Sequence, residues 1–246
     1  MKHFLNSSTQ KALYNLCCEH GFTAQGKAFF RVYADSILQV IGFQHERVFN
    51  HHSLNIGLMS MYSKADNDTF SAKTSLLCYS ICCLDNCASA ISLSENNGIT
   101  TFHIRSPESQ LCLLKEKGFE WLDSIKTQEK LLEAINYLET VTYKSIIWNN
   151  DKKLAPLLAV KNYERADYVI ASILNQHLGS NAISSPPWIE QDFLYYSNCF
   201  PNRDMDYLHL HKLITEWKTD LIEAYLEKNY LDNTRRLKVY GDGSVC

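Results

Sequence analysis

Hydrophobic periodicity changes near residue 105, and this change limits the possible folds more than any other feature of the chain. Before it, apolar residues alternate with polar ones or form short apolar blocks, which is typical of strands; after it they recur every three to four positions, which is typical of helices. We therefore predict an α+β fold, with an N-terminal helix and a mostly antiparallel sheet of about five strands, followed by a helical C-terminal half.

Charge divides the chain at the same point. Residues 1–105 carry 8 Lys+Arg and 7 Asp+Glu, whereas residues 106–246 carry 16 and 20, a net charge of +1 against −4. We predict a sheet-centred α+β part at 1–105 and a helical part at 106–246. No long flexible linker separates them, so we expect the two parts to pack as one unit.

Local signals in the first part place the elements. Ser7 and Gln10 fit a capping box that begins a helix, and Gly21 is placed to end it. Strand patterns follow at 28–33, 37–43, 54–58, 76–84 and 99–104. In the third of these strands Leu54, Ile56 and Leu58 share one face, because side chains alternate along a strand.

Helix signals dominate the second part. Ser106, Pro107 and Glu108 predict a capped helix start, and Gly118 predicts the end of that helix. Thr127 predicts the next helix cap, and Pro156 predicts the start or a kink of a helix within 154–163. The last long helix is predicted from an apolar stripe at 3.6-residue spacing: Leu210, Leu213, Ile214, Trp217, Leu221 and Tyr225.

The nine cysteines raise the question of a metal or disulfide framework. The N-terminus lacks the apolar core of a secretory signal, so we expect a cytoplasmic protein with reduced thiols. Cys78, Cys82, Cys83 and Cys87 could hold zinc, but on one strand the first two would face away from the last two, which opposes tetrahedral coordination. We therefore favour buried core thiols and predict no metal and no cofactor.

Several function classes lack their sequence signals. No stretch concentrates Lys and Arg, so we predict no nucleic-acid partner, and the longest apolar run falls well short of the ~20 residues of a membrane helix. The nucleophile elbow, the Walker loop and the dinucleotide fingerprint are missing. The sequence favours a non-catalytic module that binds another protein or a small molecule; the alternative is a hydrolase-like enzyme with a triad assembled from distant residues.

Four polar residues interrupt the apolar strands and are the candidate ligand- or partner-binding residues: Arg31, Gln39, Gln44 and Asn55. Gly57 removes a side chain beside Asn55, which would let a partner backbone approach. The alternative is that these side chains lie on the wetter face of an antiparallel sheet or satisfy buried neighbours.

The residues from 21 to 58 carry a family resemblance. Gly21-Phe22 follows the first helix, then come Phe29-Phe30-Arg31, the run from Ile37 to Gln44, and Leu54-Asn55-Ile56-Gly57. As an ordered set these motifs resemble domain-of-unknown-function family 4304, a bacterial family. The resemblance covers about a quarter of the chain closely; it implies an α+β fold and supplies no activity.

Overall fold

The computed structural model describes residues 7–25, 28–34, 36–46, 51–64, 77–85, 91–96, 99–141, 146–178 and 203–241. The N-terminal helix is α1 (Ser7–Glu19), and the strands are β1 (Thr23–Gln25), β2 (Ala28–Tyr33), β3 (Ile37–Glu46), β4 (His51–Ser60), β5 (Leu77–Ser80), β6 (Ile91–Asn96) and β7 (Ile99–Ile104). The helices that follow are α2 (Pro107–Leu113), α3 (Phe119–Ser124), α4 (Gln128–Val141), α5 (Ile146–Ala159), α6 (Tyr163–Leu178), α7 (Arg203–Thr215) and α8 (Thr219–Gly241). The predicted α+β fold is confirmed.

The sheet is antiparallel and its strands follow sequence order from β1 to β5, while β6 and β7 pair with each other as a separate hairpin. Gly21 ends the first helix as predicted. Its φ is +74°, and the N–H of Phe22 donates to the Cys17 carbonyl at 3.0 Å. Glycine suits this position because a side chain disfavours the left-handed backbone.

Both faces of the sheet are covered, at least in part. On the first face Ile37, Ile41 and Leu54 are fully buried in one cluster with residues of α1 to α4. On the second face Leu38 and Val40 form a smaller cluster with residues of α8. Alternation along the strands therefore separates two apolar sets, and the sheet is a middle layer between helices.

The helix that begins at Pro107 does not end at Gly118, so that prediction is wrong. A π-helical turn, Leu114–Gly118, joins α2 directly to α3. The φ of Gly118 is −64°, and a Cβ there would lie 2.8 Å from Leu114 Cδ1 and 3.1 Å from Ile81 Cδ1. Glycine is therefore suited to this position because it has no Cβ to meet these neighbouring side chains. Its backbone conformation is helical and does not end the helix.

The other helix starts agree better with their signals. Ser106 caps α2, since its hydroxyl oxygen accepts from the Ser109 N–H at 3.2 Å, and Thr127 caps α4 by accepting from the Lys130 N–H at 3.3 Å. Pro156 does not start its helix, because it lies in the last turn of α5, which begins at Ile146; the alternative of a kink stays a prediction.

The predicted last long helix is two helices. α7 ends at Thr215 and α8 begins at Thr219, with Trp217 between them in the left-handed region at a φ of +54°. Trp217 is 76% exposed and Leu221 is 49% exposed, so neither belongs to an apolar stripe. Apolar residues keep the 3.6-residue spacing across this break, and the sequence there has no glycine to signal the left-handed residue that ends α7.

The cysteine-rich segment also differs from the prediction. β5 ends at Ser80 and Ile81–Asp85 forms a 3₁₀ turn, so Cys82 and Cys83 do not alternate along a strand; both are fully buried. The side chains of Cys78 and Cys87 lie outside the described part. Cys17 is buried and free, as predicted, but Cys18 is disulfide-bonded, which corrects the expectation of reduced thiols throughout.

Two further searches cover only the described ranges. Within them, no group of His, Cys, Asp and Glu side chains is arranged to hold a metal ion. None of the helices there combines the length and the apolar character needed to cross a membrane.

A candidate ligand cleft between the sheet and the helices

Arg31 and Gln39, two of the predicted site residues, lie opposite each other on β2 and β3. Arg31 Nε donates to Gln39 Oε1 at 2.9 Å, and Gln39 Nε2 donates to the Leu122 carbonyl at 2.8 Å. Gln39 is fully buried. Its amide therefore joins the first sheet face to the end of α3.

The Arg31 guanidinium has contacts on every side. Its Cζ lies 4.4 Å from the ring centroid of Phe22 and 4.5 Å from that of Tyr33, and NH1 donates to the His20 carbonyl at 2.6 Å. NH2 donates to the carboxylate of Asp123. The side chain is only 10% exposed, so its contacts serve the packing of α1, β2 and α3. A binding role for Arg31 stays a prediction.

Gln44 and Asn55 lie on the opposite sheet face from Arg31 and Gln39, as the strand register requires. Asn55 Nδ2 donates to Gln44 Oε1 at 3.0 Å; Gln44 is exposed and Asn55 is half-buried. The structure therefore forms two separate pairs from the four predicted residues and does not bring them together in one site.

A groove of about 710 Å³ lies beside the Arg31 contacts, where His20 and Asp123 line it. The His20 ring stacks on Phe119 with centroids 3.6 Å apart and nearly parallel planes. Lys115 and Glu120 add charges of both signs to its rim. The stacked rings and the charged side chains therefore line this groove together.

A second cleft of about 670 Å³ lies between the sheet and the helical half. Five separate segments line it: the turn before β3, the turn after β4, the start of α4, the turn between α5 and α6, and one face of α8. Its polar and aromatic lining includes Ser36, Tyr62, Gln128, Lys161, Glu227 and Tyr230, and its apolar lining includes Val160 and Leu226.

Helix α8 is held against the sheet by two amide side chains one turn apart. Asn229 Nδ2 donates to the Tyr62 carbonyl at 3.1 Å, and Asn233 Nδ2 donates to the carbonyls of Met61 and Ser63, both at 2.8 Å. These bonds fix the rotation of α8. Glu223, Glu227 and Tyr230, spaced four and three residues apart, consequently line the cleft together.

Two charged groups of the cleft have pKa values moved away from neutrality. Lys161 Nζ donates to Glu223 Oε1 at 2.7 Å, and this hydrogen bond raises the pKa of Lys161. The pKa of Glu129 is lowered, first by a hydrogen bond from the Thr127 hydroxyl and then by the backbone N–H of Glu129 itself. Both groups therefore keep their charge around neutral pH.

Gln128 lines the cleft at the first residue of α4 and is only 8% exposed. Its Nε2 donates to the Ser36 carbonyl at 3.3 Å, whereas no donor in the described part reaches its Oε1. Buried polar atoms are nearly always hydrogen-bonded in folded proteins. Gln128 therefore lines the cleft and buries one acceptor that lacks a donor in the described part.

Outside the clefts, His211 on α7 and Asp167 on α6 are 2.6 Å apart between Nδ1 and Oδ1. A carboxylate on Nδ1 orients an imidazole for general-base chemistry at its other nitrogen. Both side chains are partly exposed, at 44% and 31%. The contact is similar to the His–carboxylate contact of a triad, but it does not by itself define a nucleophile.

The cleft residues were not found from the sequence, because no motif joins segments as distant as Ser36 and Tyr230. The fold and this site define an α+β protein with a ligand-sized cleft between its sheet and its helices. No protein-family model, no curated protein and no solved structure matches the chain.

Proposed function

We propose that this chain is a non-catalytic binding protein that takes a small molecule in the cleft between the sheet and the helices. The cleft itself is the observation that carries the proposal. Its volume of about 670 Å³ lies inside the range of roughly 300–1,000 Å³ that is usual for ligand sites. Apolar walls with a few converging polar groups are also usual for such sites.

The charged groups of the cleft favour binding over catalysis. A general acid or base works best when its pKa lies near the working pH. Here the pKa of Glu129 is lowered and that of Lys161 is raised, so that neither side chain exchanges a proton readily at neutral pH. Fixed charges of this kind orient a ligand.

A fragment screen by two-dimensional NMR on the full chain tests the proposal. Fragments that bind should shift the amide signals of Gln128, Lys161 and Leu226 together, because these residues belong to three different elements around one cleft. Val160→Trp adds an indole to the cleft wall and should weaken the same fragments at least about tenfold.

The control is Leu231→Trp. Leu231 lies on α8, as the cleft residue Leu226 does, and is 45% exposed, but it does not line the cleft. It should leave fragment affinities unchanged. Fragments that shift signals elsewhere in the chain, or that bind Val160→Trp and wild type equally, would show that the cleft is not the binding site.

The second candidate function is the hydrolase-like enzyme, and only the His211–Asp167 contact favours it. A fluorophosphonate probe should then add its mass to one Ser of the native chain, or iodoacetamide should label one Cys other than the exposed Cys112. His211→Gln should abolish that adduct, while Asp206→Asn, on the same helix, should not. Labelling that is equal in all three proteins, or absent from wild type, rules this candidate out.

The resemblance of residues 21–58 to domain-of-unknown-function family 4304 also stays a proposal, and so does a protein partner at Arg31, Gln39, Gln44 or Asn55. Arg31 and Gln39 support the fold through their own contacts. Asn55→Ala is therefore the cleaner test of a partner: it should abolish a pull-down partner without lowering the melting temperature, since Asn55 bonds only the exposed Gln44 among the described residues.

A further inference from the structure

We infer that the ligand of the cleft is an organic cation with N–H donors, such as a primary amine. This inference rests on the proposed function and names the ligand class for the same cleft. Three features carry it: the charge balance of the lining, a pair of tyrosine rings beside a carboxylate, and the acceptor of Gln128 that lacks a donor.

Carboxylates outnumber ammonium groups in the cleft. Glu129, Glu223 and Glu227 line it together with Lys126 and Lys161. Lys161 is paired with Glu223, and the Glu129 carboxylate accepts from groups at the start of α4. Glu227 forms no ion pair within the described ranges. An added cation would therefore offset the excess negative charge of the lining, whereas an added anion would increase it.

Tyr62 and Tyr230 supply an aromatic wall next to Glu227. Their ring centroids are 5.6 Å apart with a 36° tilt, and Glu227 lies one helical turn before Tyr230 on α8. The faces of aromatic rings attract cations, and a carboxylate beside them strengthens that attraction. An anion at the same place would meet two repulsive surfaces.

Gln128 Oε1 provides the directional contact. It is a buried acceptor without a donor in the described part, so the side chain would have to turn toward the cleft for an amine N–H to complete it. An anion could use the backbone N–H groups at the start of α4, but the Glu129 carboxylate already accepts one of them. Gln128 Oε1 therefore favours a ligand that carries an N–H donor.

Three five-carbon probes of equal length test the charge preference: pentane-1,5-diamine, pentane-1,5-diol and pentanedioate. Each is titrated calorimetrically into the full chain at pH 7 and low salt, and contacts are mapped by NMR. We expect the diamine to bind at least about tenfold more tightly than the other two and to shift signals of Tyr62, Gln128 and Tyr230.

Two variants locate the contact. Glu227→Gln keeps the shape and removes the charge, and should weaken the diamine about fivefold; Gln128→Leu should also weaken it. Glu216→Gln is the control, because Glu216 lies at the end of α7 outside the cleft lining. Far-UV circular dichroism confirms that each variant is folded.

Tighter binding of pentanedioate would overturn the cation inference and leave the small-molecule function standing. Equal binding of the diamine to wild type and Glu227→Gln would also overturn it, since the amine would then lie elsewhere. If none of the three probes binds, the cation inference fails as well, and the fragment screen with Val160→Trp decides the proposed function separately.

Discussion

Two buried glutamines with opposite hydrogen-bonding states allow a test of how this fold is stabilised. Gln110 on α2 completes the sheet next to β4, where β5 pairs only with Asn55 to Leu58. Gln110 Oε1 accepts from the Leu54 N–H at 2.6 Å, and Nε2 donates to the carbonyls of His52 at 3.0 Å and Arg105 at 3.1 Å. One side-chain amide thus satisfies two backbone groups of β4 that lie beyond its pairing with β5, and also the carbonyl of Arg105.

Gln110→Leu keeps the approximate volume and removes all three bonds. The Leu54 N–H would be buried without an acceptor, which costs about 1–3 kcal/mol, and each partly buried carbonyl would lose about 0.5–1.5 kcal/mol. The added apolar contact offsets a part of this loss. We therefore expect the free energy of unfolding to fall by about 2–4 kcal/mol, a large fraction of the ~5–15 kcal/mol of a typical domain.

Gln128→Leu is the matched comparison. It removes one long bond to the Ser36 carbonyl and also removes the acceptor that lacks a donor, so the free energy of unfolding should change by less than about 0.5 kcal/mol or rise. Urea denaturation followed by far-UV circular dichroism measures both variants, with equal m-values as the check for a common denatured state. Equal losses in the two variants would show that burial of a glutamine, and not its hydrogen bonds, sets the cost.

Three further outcomes are expected. Burial raises the pKa of Cys17 to about 12. Peptide mapping after a short maleimide pulse at pH 7 should therefore find Cys112 labelled in the folded protein, and Cys17 labelled only after unfolding. Because the unfolded thiol ionises near pH 9, the free energy of unfolding should also fall as pH rises from 9 toward 12, and it should fall less in Cys17→Ala. Hydrogen bonds from Arg105 and Lys117 lower the pKa of Asp85. The contribution of Asp85 to stability is therefore present above the unfolded-state pKa of 3.8 and is lost as pH falls below it. When the free energy of unfolding is measured at decreasing pH, Asp85→Asn should lose less of it than wild type. Trp217→Gly should raise the free energy of unfolding by about 0.5–1 kcal/mol in urea melts, because glycine adopts the left-handed backbone without strain, while Glu216→Gly, without a positive φ, should lower it.

Helix starts could be predicted from the sequence because a cap acts over three residues. Ser106 and Thr127 each accept from the N–H three positions later, and both contacts depend only on local sequence. A glycine was a less certain signal for a helix end: Gly21 ends α1 as predicted, whereas the helix continues through Gly118. Gly118 lies inside a continuous helix, where a Cβ would approach Leu114 of the same helix and Ile81 from a distant part of the sequence.

The two predicted pairs of polar strand residues show a related limit. Alternation placed Arg31 and Gln39 on strands correctly, but it could not show that Phe22, Tyr33 and Asp123 surround the guanidinium. A polar residue in an apolar strand has the same sequence pattern whether it binds a ligand or a neighbouring helix. The sequence was therefore informative about the sheet and uninformative about the cleft.

Helix α8 connects the stability of this fold with the proposed site. Asn229 and Asn233 bond the carbonyls that follow β4, and Glu227 and Tyr230 on the same helix line the cleft. Those amide bonds set the rotation of α8, and this rotation determines that Glu227 and Tyr230 face the cleft. A ligand held between Tyr230 and Gln128 would bridge α8 and α4, two elements that otherwise meet the sheet from opposite faces. Ligand binding and the docking of the helical half on the sheet should therefore favour each other, since both require the same position of α8.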